Sequence, residues 1–321
     1  MMKRLAKILA VVAAVLVMLF VVFRVPDTDR AEMVAKYGSA PSEFVSLPTG
    51  VTMHVRDEGP RDAPVIVLLH GSNDDLHTWQ GWVDALKSKF RVIRVDQRGH
   101  GLTGAAADGR YRTEAFAADV EALAQERGIE RFVLAGNSMG GGIALQYALS
   151  HPDRLDGLVL VDAAGAPVKR EGGGNLAFAI LRLPGINRIG MELMPRSVVE
   201  KSMKQSVADP DGVKPDTVDR IWEMARYPGN REATLTRFSQ SYNTYTAEQV
   251  GGITVPTLVM WGDKDALIPL AAGEWLAKTL PEAVLVHYGD LGHLPMQEAP
   301  ERTASDLIDW LTTLPLNTQI P

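Results

Sequence analysis

The sequence predicts an α/β fold with a mostly parallel sheet of eight strands covered by helices on both faces. Short runs that are apolar at every position, such as 65–69 and 132–135, alternate with longer stretches whose apolar residues recur at helical spacing. A strand apolar along its whole length is buried on both faces, as in parallel sheets with helical crossovers. Gly136-Asn137-Ser138-Met139-Gly140 stands where one such run meets a helix-forming stretch. It reads as G-x-S-x-G, a sharp strand-to-helix turn that lifts a serine hydroxyl clear of the sheet. The serine is strained, and glycines let the neighbouring backbones pass close to it. At 321 residues and 46% hydrophobic composition, the chain suffices for one large α/β domain or two small ones.

In chain order, Lys3, Arg4 and Lys7 precede an uncharged apolar run, 8–23, closed by Arg24 and Pro26. At about 1.5 Å per residue the run falls a little short of the ~30 Å hydrocarbon core; Leu5 and Ala6 extend it, and Lys7 can reach the headgroups. A secretory signal ends on a small-x-small pattern, whereas this chain continues Arg24-Val25-Pro26-Asp27. Residues 1–24 are therefore expected to be an uncleaved signal-anchor, a single transmembrane helix; the alternative is a cleaved signal and a secreted or periplasmic protein. The basic N-terminal end is expected to put that end in the cytoplasm and the bulk of the chain outside the inner membrane.

Residues 25–42 read as a polar linker with a short helix, and 43–47 and 51–55 as a hairpin around Pro48-Thr49-Gly50. Strands follow at 65–69, 91–95, 132–135 and 158–161, with helices at 78–87, at 113–127 and after Ser138, so that 43–163 form the first part of the core. Residues 164–252 break the alternation: they open on Gly172-Gly173-Gly174 and carry helical patterns rich in Leu, Ile and Met. An insertion of this size after the sixth strand is expected to be a helical cap, or lid, where ligands enter. Strands at 257–261 and 284–288 and helices at 270–280 and 301–314 complete the core over 253–314, leaving 315–321 as a tail. The lid's stretch 176–181, followed by Leu183, Ile186, Ile189, Met191, Leu193 and Met194, is apolar almost all round. Such a helix is buried on several sides or meets lipid. Phe178 and Leu181 are the candidate substrate contacts there.

The formal net charge of −6, with no long basic cluster beyond the N-terminus, argues against a nucleic-acid binder. The absence of cysteine excludes disulfides, thiolate metal sites and a cysteine nucleophile. A serine hydroxyl is a poor nucleophile without a base to take its proton and a carboxylate to orient that base. After an elbow of this kind the partners follow in the order acid, then histidine. Of the seven histidines, His293 in Gly292-His293-Leu294-Pro295 follows the last strand and precedes the last helix. His287 lies within that strand, and His100 in a glycine-rich turn. The acid is sought at the end of strand 257–261, where Asp263 and Asp265 both stand, with Asp162 a further possibility. The expected oxyanion donors are the backbone N–H groups of Ser72, after the turn at His70-Gly71, and of Met139.

Five motifs, His70-Gly71, Asp96-Gln97-Arg98-Gly99-His100-Gly101, Gly136 to Gly141, Trp261-Gly262-Asp263-Lys264-Asp265 and Gly292-His293, together resemble the α/β-hydrolase superfamily. The resemblance implies Ser138, Asp265 and His293 as a catalytic triad working through an acyl-enzyme, with no metal or organic cofactor. A serine at the elbow separates esterases, lipases, C–C hydrolases and cofactor-free haloperoxidase-like members from epoxide hydrolases and haloalkane dehalogenases, which carry aspartate there. Gly136-Asn137-Ser138-Met139-Gly140-Gly141 looks like the string of meta-cleavage-product C–C hydrolases. Two departures stand against it: Ser72-Asn73-Asp74 replaces their extra glycines, and Leu294-Pro295-Met296 lacks their tryptophan. The anchored layout instead resembles membrane-tethered monoacylglycerol lipases and bacterial esterases. The expectation is a serine hydrolase of medium-chain or lipid-like carboxylic esters. The membrane is met through the N-terminal helix, no nucleic acid is bound, and no obligate protein partner is inferred. The rivals are a C–C hydrolase and a non-catalytic binding protein on a hydrolase scaffold.

Overall fold

The computed structural model describes residues 2–168, 183, 185–240 and 243–316. Eight strands form one sheet: β1 (Ser42–Ser46), β2 (Thr52–Glu58), β3 (Val65–Leu69), β4 (Arg91–Val95), β5 (Phe132–Asn137), β6 (Leu155–Val161), β7 (Thr257–Gly262) and β8 (Ala283–Tyr288). Their order is β1-β2-β4-β3-β5-β6-β7-β8. β1 and β2 form the expected hairpin, β2 pairs antiparallel with β4, and every later pairing is parallel. Every residue of β3, β4, β5, β6 and β7 is buried, including Arg91 and Arg94 of β4 and Asp156 of β6, as strands covered on both faces require.

The two faces of the sheet carry separate cores. On one, Leu69, Leu134, Leu160 and Trp261 pack under the helices Thr113–Glu126, Met139–Ser150 and Leu270–Thr279. On the other, Leu68, Ala135, Val161 and Met260 pack under Gln80–Leu86 and Pro300–Leu311. There Trp82, fully buried, donates its indole N–H to Thr303 Oγ1 at 2.8 Å, which satisfies the one polar atom that ring carries inward.

The insertion between β6 and β7 holds, among the described residues, the helices Ile186–Glu192, Arg196–Ser206, Pro215–Ala225, Asn230–Ser239 and Ala247–Gly251. Val199, Met203, Val218 and Ile221 form a small core of their own between the second and third of these. Phe178 and Leu181 lie outside the described residues. The N-terminal helix Met2–Phe23 has no buried residue and is long and apolar enough to cross a membrane, a test that signal sequences also pass. The stretch expected as a linker folds against the body. Its helix Arg30–Tyr37 is capped by Asp29, which accepts from Glu32 N–H at 2.9 Å, and Met33 packs with Leu102, Met224 and Tyr227.

Candidate active site

Strand ends do the positioning. Ser138 directly follows β5 with φ 53° and ψ −116°, a positive-φ backbone that a side chain adopts only when the surroundings impose it. Its N–H donates to Val161 O at 3.0 Å and its carbonyl accepts from Gly142 and Ala164, so both the following helix and the start of the insertion fix the turn. The glycines allow this crossing: a Cβ on Gly140 would lie 2.2 Å from Leu69 O.

His293 follows β8 in a loop and is itself 4% exposed, and its Nδ1 lies 2.6 Å from Asp265 Oδ2. Asp265 Oδ1 accepts the N–H groups of Leu267 at 2.6 Å and Ile268 at 3.0 Å, which locks the carboxylate towards the imidazole. Asp263 turns outward and pairs instead with the exposed His287. Asp162, at the end of β6, is fully buried behind Asp265, and polar atoms of Asp162, Asp265 and His293 all lie within 4.8 Å of one another. Asp162 Oδ1 accepts Gly262 N–H at 3.0 Å, and no donor faces Oδ2. Burial first, then the neighbouring Asp265 charge, hold its carboxyl well above the usual carboxylate range. A protonated Asp162 can itself donate from Oδ2 to Asp265.

The turn after β3 brings Gly71 and Ser72 against this point: a Cβ on Gly71 would lie 3.3 Å from Ser138 Cβ. Ser72 and Ser138 line one cavity with His293, while Met139 opens the helix Met139–Ser150, where a leading N–H lies beyond the intrahelical ladder. The insertion braces the turn. Arg237 donates to Asn73 Oδ1 and to His100 Nε2, and Arg220 Nε to Asp75 Oδ2 at 2.9 Å. Burial and then Arg237 push His100 well below the usual imidazole range, so it is neutral and accepts.

Three positioning contacts were not anticipated from the sequence. Asn137, the variable residue of the elbow, donates to both Val161 O and His293 O at 3.1 Å, tying the serine strand to the histidine loop. Glu298 accepts Gly292 N–H at 2.9 Å and Ala208 N–H at 2.7 Å, joining that loop to the insertion. His293 N–H donates to Ser206 O at 2.8 Å. For Glu298 the only signal is a charge two residues beyond the apolar run Leu294-Pro295-Met296; a backbone carbonyl such as that of Ser206 leaves none.

The cavity measures about 200 Å³, and Met191, Met194, Val198, Val199, Met203 and Ile221 of the insertion supply most of its apolar wall. Among its described lining residues there is no lysine or arginine, and Asp74 is the one carboxylate.

Comparison with known proteins agrees with this architecture. The curated relative 2-hydroxy-6-oxononadienedioate/2-hydroxy-6-oxononatrienedioate hydrolase of Paraburkholderia phymatum is 30% identical over 85% of this chain and 96% of its own. A thermophilic esterase from Thermogutta terrifontis superposes with a TM-score of 0.72 at 27% identity, over 85% of this chain and 99% of its own. A bacterial membrane phospholipase A has a likeness of fold with a TM-score of 0.74 at 24% identity; it covers 98% of this chain, so the likeness extends into the N-terminal helix, and 99% of its own. The family model described as alpha/beta hydrolase fold matches residues 64–300, from the start of β3 through the loop of His293, and the chain belongs to that family.

Proposed function

We propose that this hydrolase cleaves carboxylic esters with medium-chain or lipid-like acyl groups. Ser138 attacks the carbonyl, His293 takes its proton, and Asp265 holds the resulting imidazolium. The N–H groups of Ser72 and Met139 receive the oxyanion. Water activated by the same histidine then releases the acid. The observation that carries this reading is the cavity wall: thioether and aliphatic side chains converge on Ser138 and His293, with no cation among the described lining residues. An acyl chain gains about 0.8 kcal/mol per buried methylene in such surroundings.

The C–C reading draws on the relative from Paraburkholderia and on the Gly-Asn-Ser-Met-Gly-Gly string. The substrate in that relative's name is a dicarboxylate. Two carboxylates in this cavity would find Asp74 and, among the described lining residues, no cationic partner, so they would carry the cost of desolvating charge. That difference favours the neutral ester.

Two measurements test the proposal. A fluorophosphonate probe should label the wild type and not Ser138→Ala, whose ester turnover should fall by about 10⁴ or more. On p-nitrophenyl esters kcat/KM should rise from acetate to a medium-chain optimum, roughly fourfold per methylene at first. A profile that peaks at acetate, or faster turnover of a ring-fission dienoate followed by diode-array spectroscopy, would overturn it.

A further inference from the structure

The stretch that follows the N-terminal helix is bonded along its length to the insertion. Val25 N–H donates to Glu192 O at 2.9 Å and Thr28 N–H to Arg226 O at 3.0 Å. Arg231 donates to Val25 O at 2.7 Å and Arg226 to Pro26 O at 3.1 Å. Arg24 pairs with Glu192, and Asp27 with Arg231 at 3.3 Å. The exit of the apolar helix is thereby moored to the last residue of the helix Ile186–Glu192.

That helix has two faces of different character. Met191 is buried and lines the cavity that holds Ser138. Ile186 and Ile189, one turn apart, are 58% and 53% exposed, and Leu183 just before them is 48% exposed. Val198 is 43% exposed and also lines the cavity, so it stands at the mouth. Large aliphatic side chains clustered in water are unfavourable, and at the boundary of a bilayer they are favourable. Their position one hydrogen-bonded residue away from an apolar helix long enough to cross a membrane names the partner.

We propose that the face carrying Leu183, Ile186 and Ile189 seats in the headgroup region of the bilayer that the N-terminal helix enters. The cavity mouth at Val198 then lies against the membrane, and the ester arrives from the lipid phase rather than from water. The proposal rests on the reading of residues 1–24 as an anchor and on the esterase reading of the site.

The absence of cysteine makes single-site labelling clean. The full chain is placed in phosphatidylcholine–phosphatidylglycerol vesicles with an environment-sensitive fluorophore at Ile189→Cys, Val15→Cys or Glu130→Cys; Glu130 lies before β5, at the end of the sheet opposite Ser138. Shallow nitroxide lipids should quench the label at 189 and leave the one at 130 unquenched, while deep nitroxides quench the label at 15. A label at 189 that stays in water while the one at 15 is quenched overturns the docking and leaves the anchor standing. An unquenched label at 15 removes the anchor and the docking with it. These readouts need no turnover, so they stand apart from the esterase reading. In the activity arm, Ile186→Asp with Ile189→Asp should lower hydrolysis of a long-chain p-nitrophenyl ester held in the vesicles by about tenfold, and hydrolysis of p-nitrophenyl acetate by less than about twofold. Equal losses on both esters would assign the two side chains to the packing of the insertion and overturn the proposal.

Discussion

The two aspartates after β7 differ by two positions and by everything that surrounds them. Asp265 accepts two backbone N–H groups and faces His293, while Asp263 faces the exposed His287. Asp265→Asn should cost about 10³–10⁴ in kcat, because an amide favours the wrong imidazole tautomer, and Asp263→Asn should change kcat by less than about threefold. Stopped-flow acylation with p-nitrophenyl esters checks both, and a reversal would reassign the acid. Asp162 gives a pH-dependent expectation. It is surrounded by Asp265, Glu298 and His293, and burial and then the Asp265 charge hold its carboxyl well above the usual carboxylate range. A carboxyl raised in the folded state favours folding at low pH, and that contribution is lost as the pH climbs from the ordinary carboxylate value through the raised one. Asp162→Asn, which keeps an acceptor for Gly262 and a donor towards Asp265, should therefore have a higher Tm than the wild type at pH 8, with the gap shrinking towards pH 5. A lower Tm at pH 8 would mean that Asp162 is ionised. At this scale the sequence was informative wherever a side chain stands in a recognisable string, as Ser138 and His293 do. It was silent on Asn137, whose amide spans two strand ends that are distant in the chain.

Elements were the most legible level. Buried strands such as β3 read as short apolar runs, and the antiparallel pairing of β1 with β2 followed from Pro48-Thr49-Gly50. How the insertion meets the core was not legible, because the contacts run through backbone atoms. Gly292 shows this: a Cβ there would lie 2.7 Å from Ala208 N and 2.9 Å from Val207 C. Gly292→Ala must push the histidine loop away from the end of the helix Arg196–Ser206, where Ser206 O accepts His293 N–H. We expect kcat to fall by about tenfold or more with a Tm loss of only a few degrees, since the strain is local to the loop that carries His293. Unchanged turnover, with the chain folded by circular dichroism, would show that the loop tolerates the shift.

Over the whole molecule, residues 25–42 read as a tether in the sequence, whereas in the structure they complete the insertion. Its polar character suited a linker, but the backbone carbonyls of Pro26 and Val25 accept from Arg226 and Arg231, both more than nine-tenths buried. A chain beginning at Arg30 should be soluble and still hydrolyse short esters, because the sheet from β1 onwards is intact. It should also melt at lower temperature. Losing hydrogen bonds to buried cations costs about 1–3 kcal/mol, or roughly 2–4 °C for each kcal/mol in a domain of this size. Calorimetry of the truncated and full chains in the same detergent measures the difference, and equal Tm values would make the contacts dispensable. The bond from His293 N–H to Ser206 O has a consequence for recombination. Exchanging residues 164–252 between relatives is the obvious way to alter which substrate is accepted, yet that exchange also replaces the carbonyl that holds His293 N–H and the arginines, Arg220 and Arg237, that grip the turn after β3. A chimaera would have to import compatible partners at 206, 220 and 237, or inherit a new pocket around a misaligned histidine.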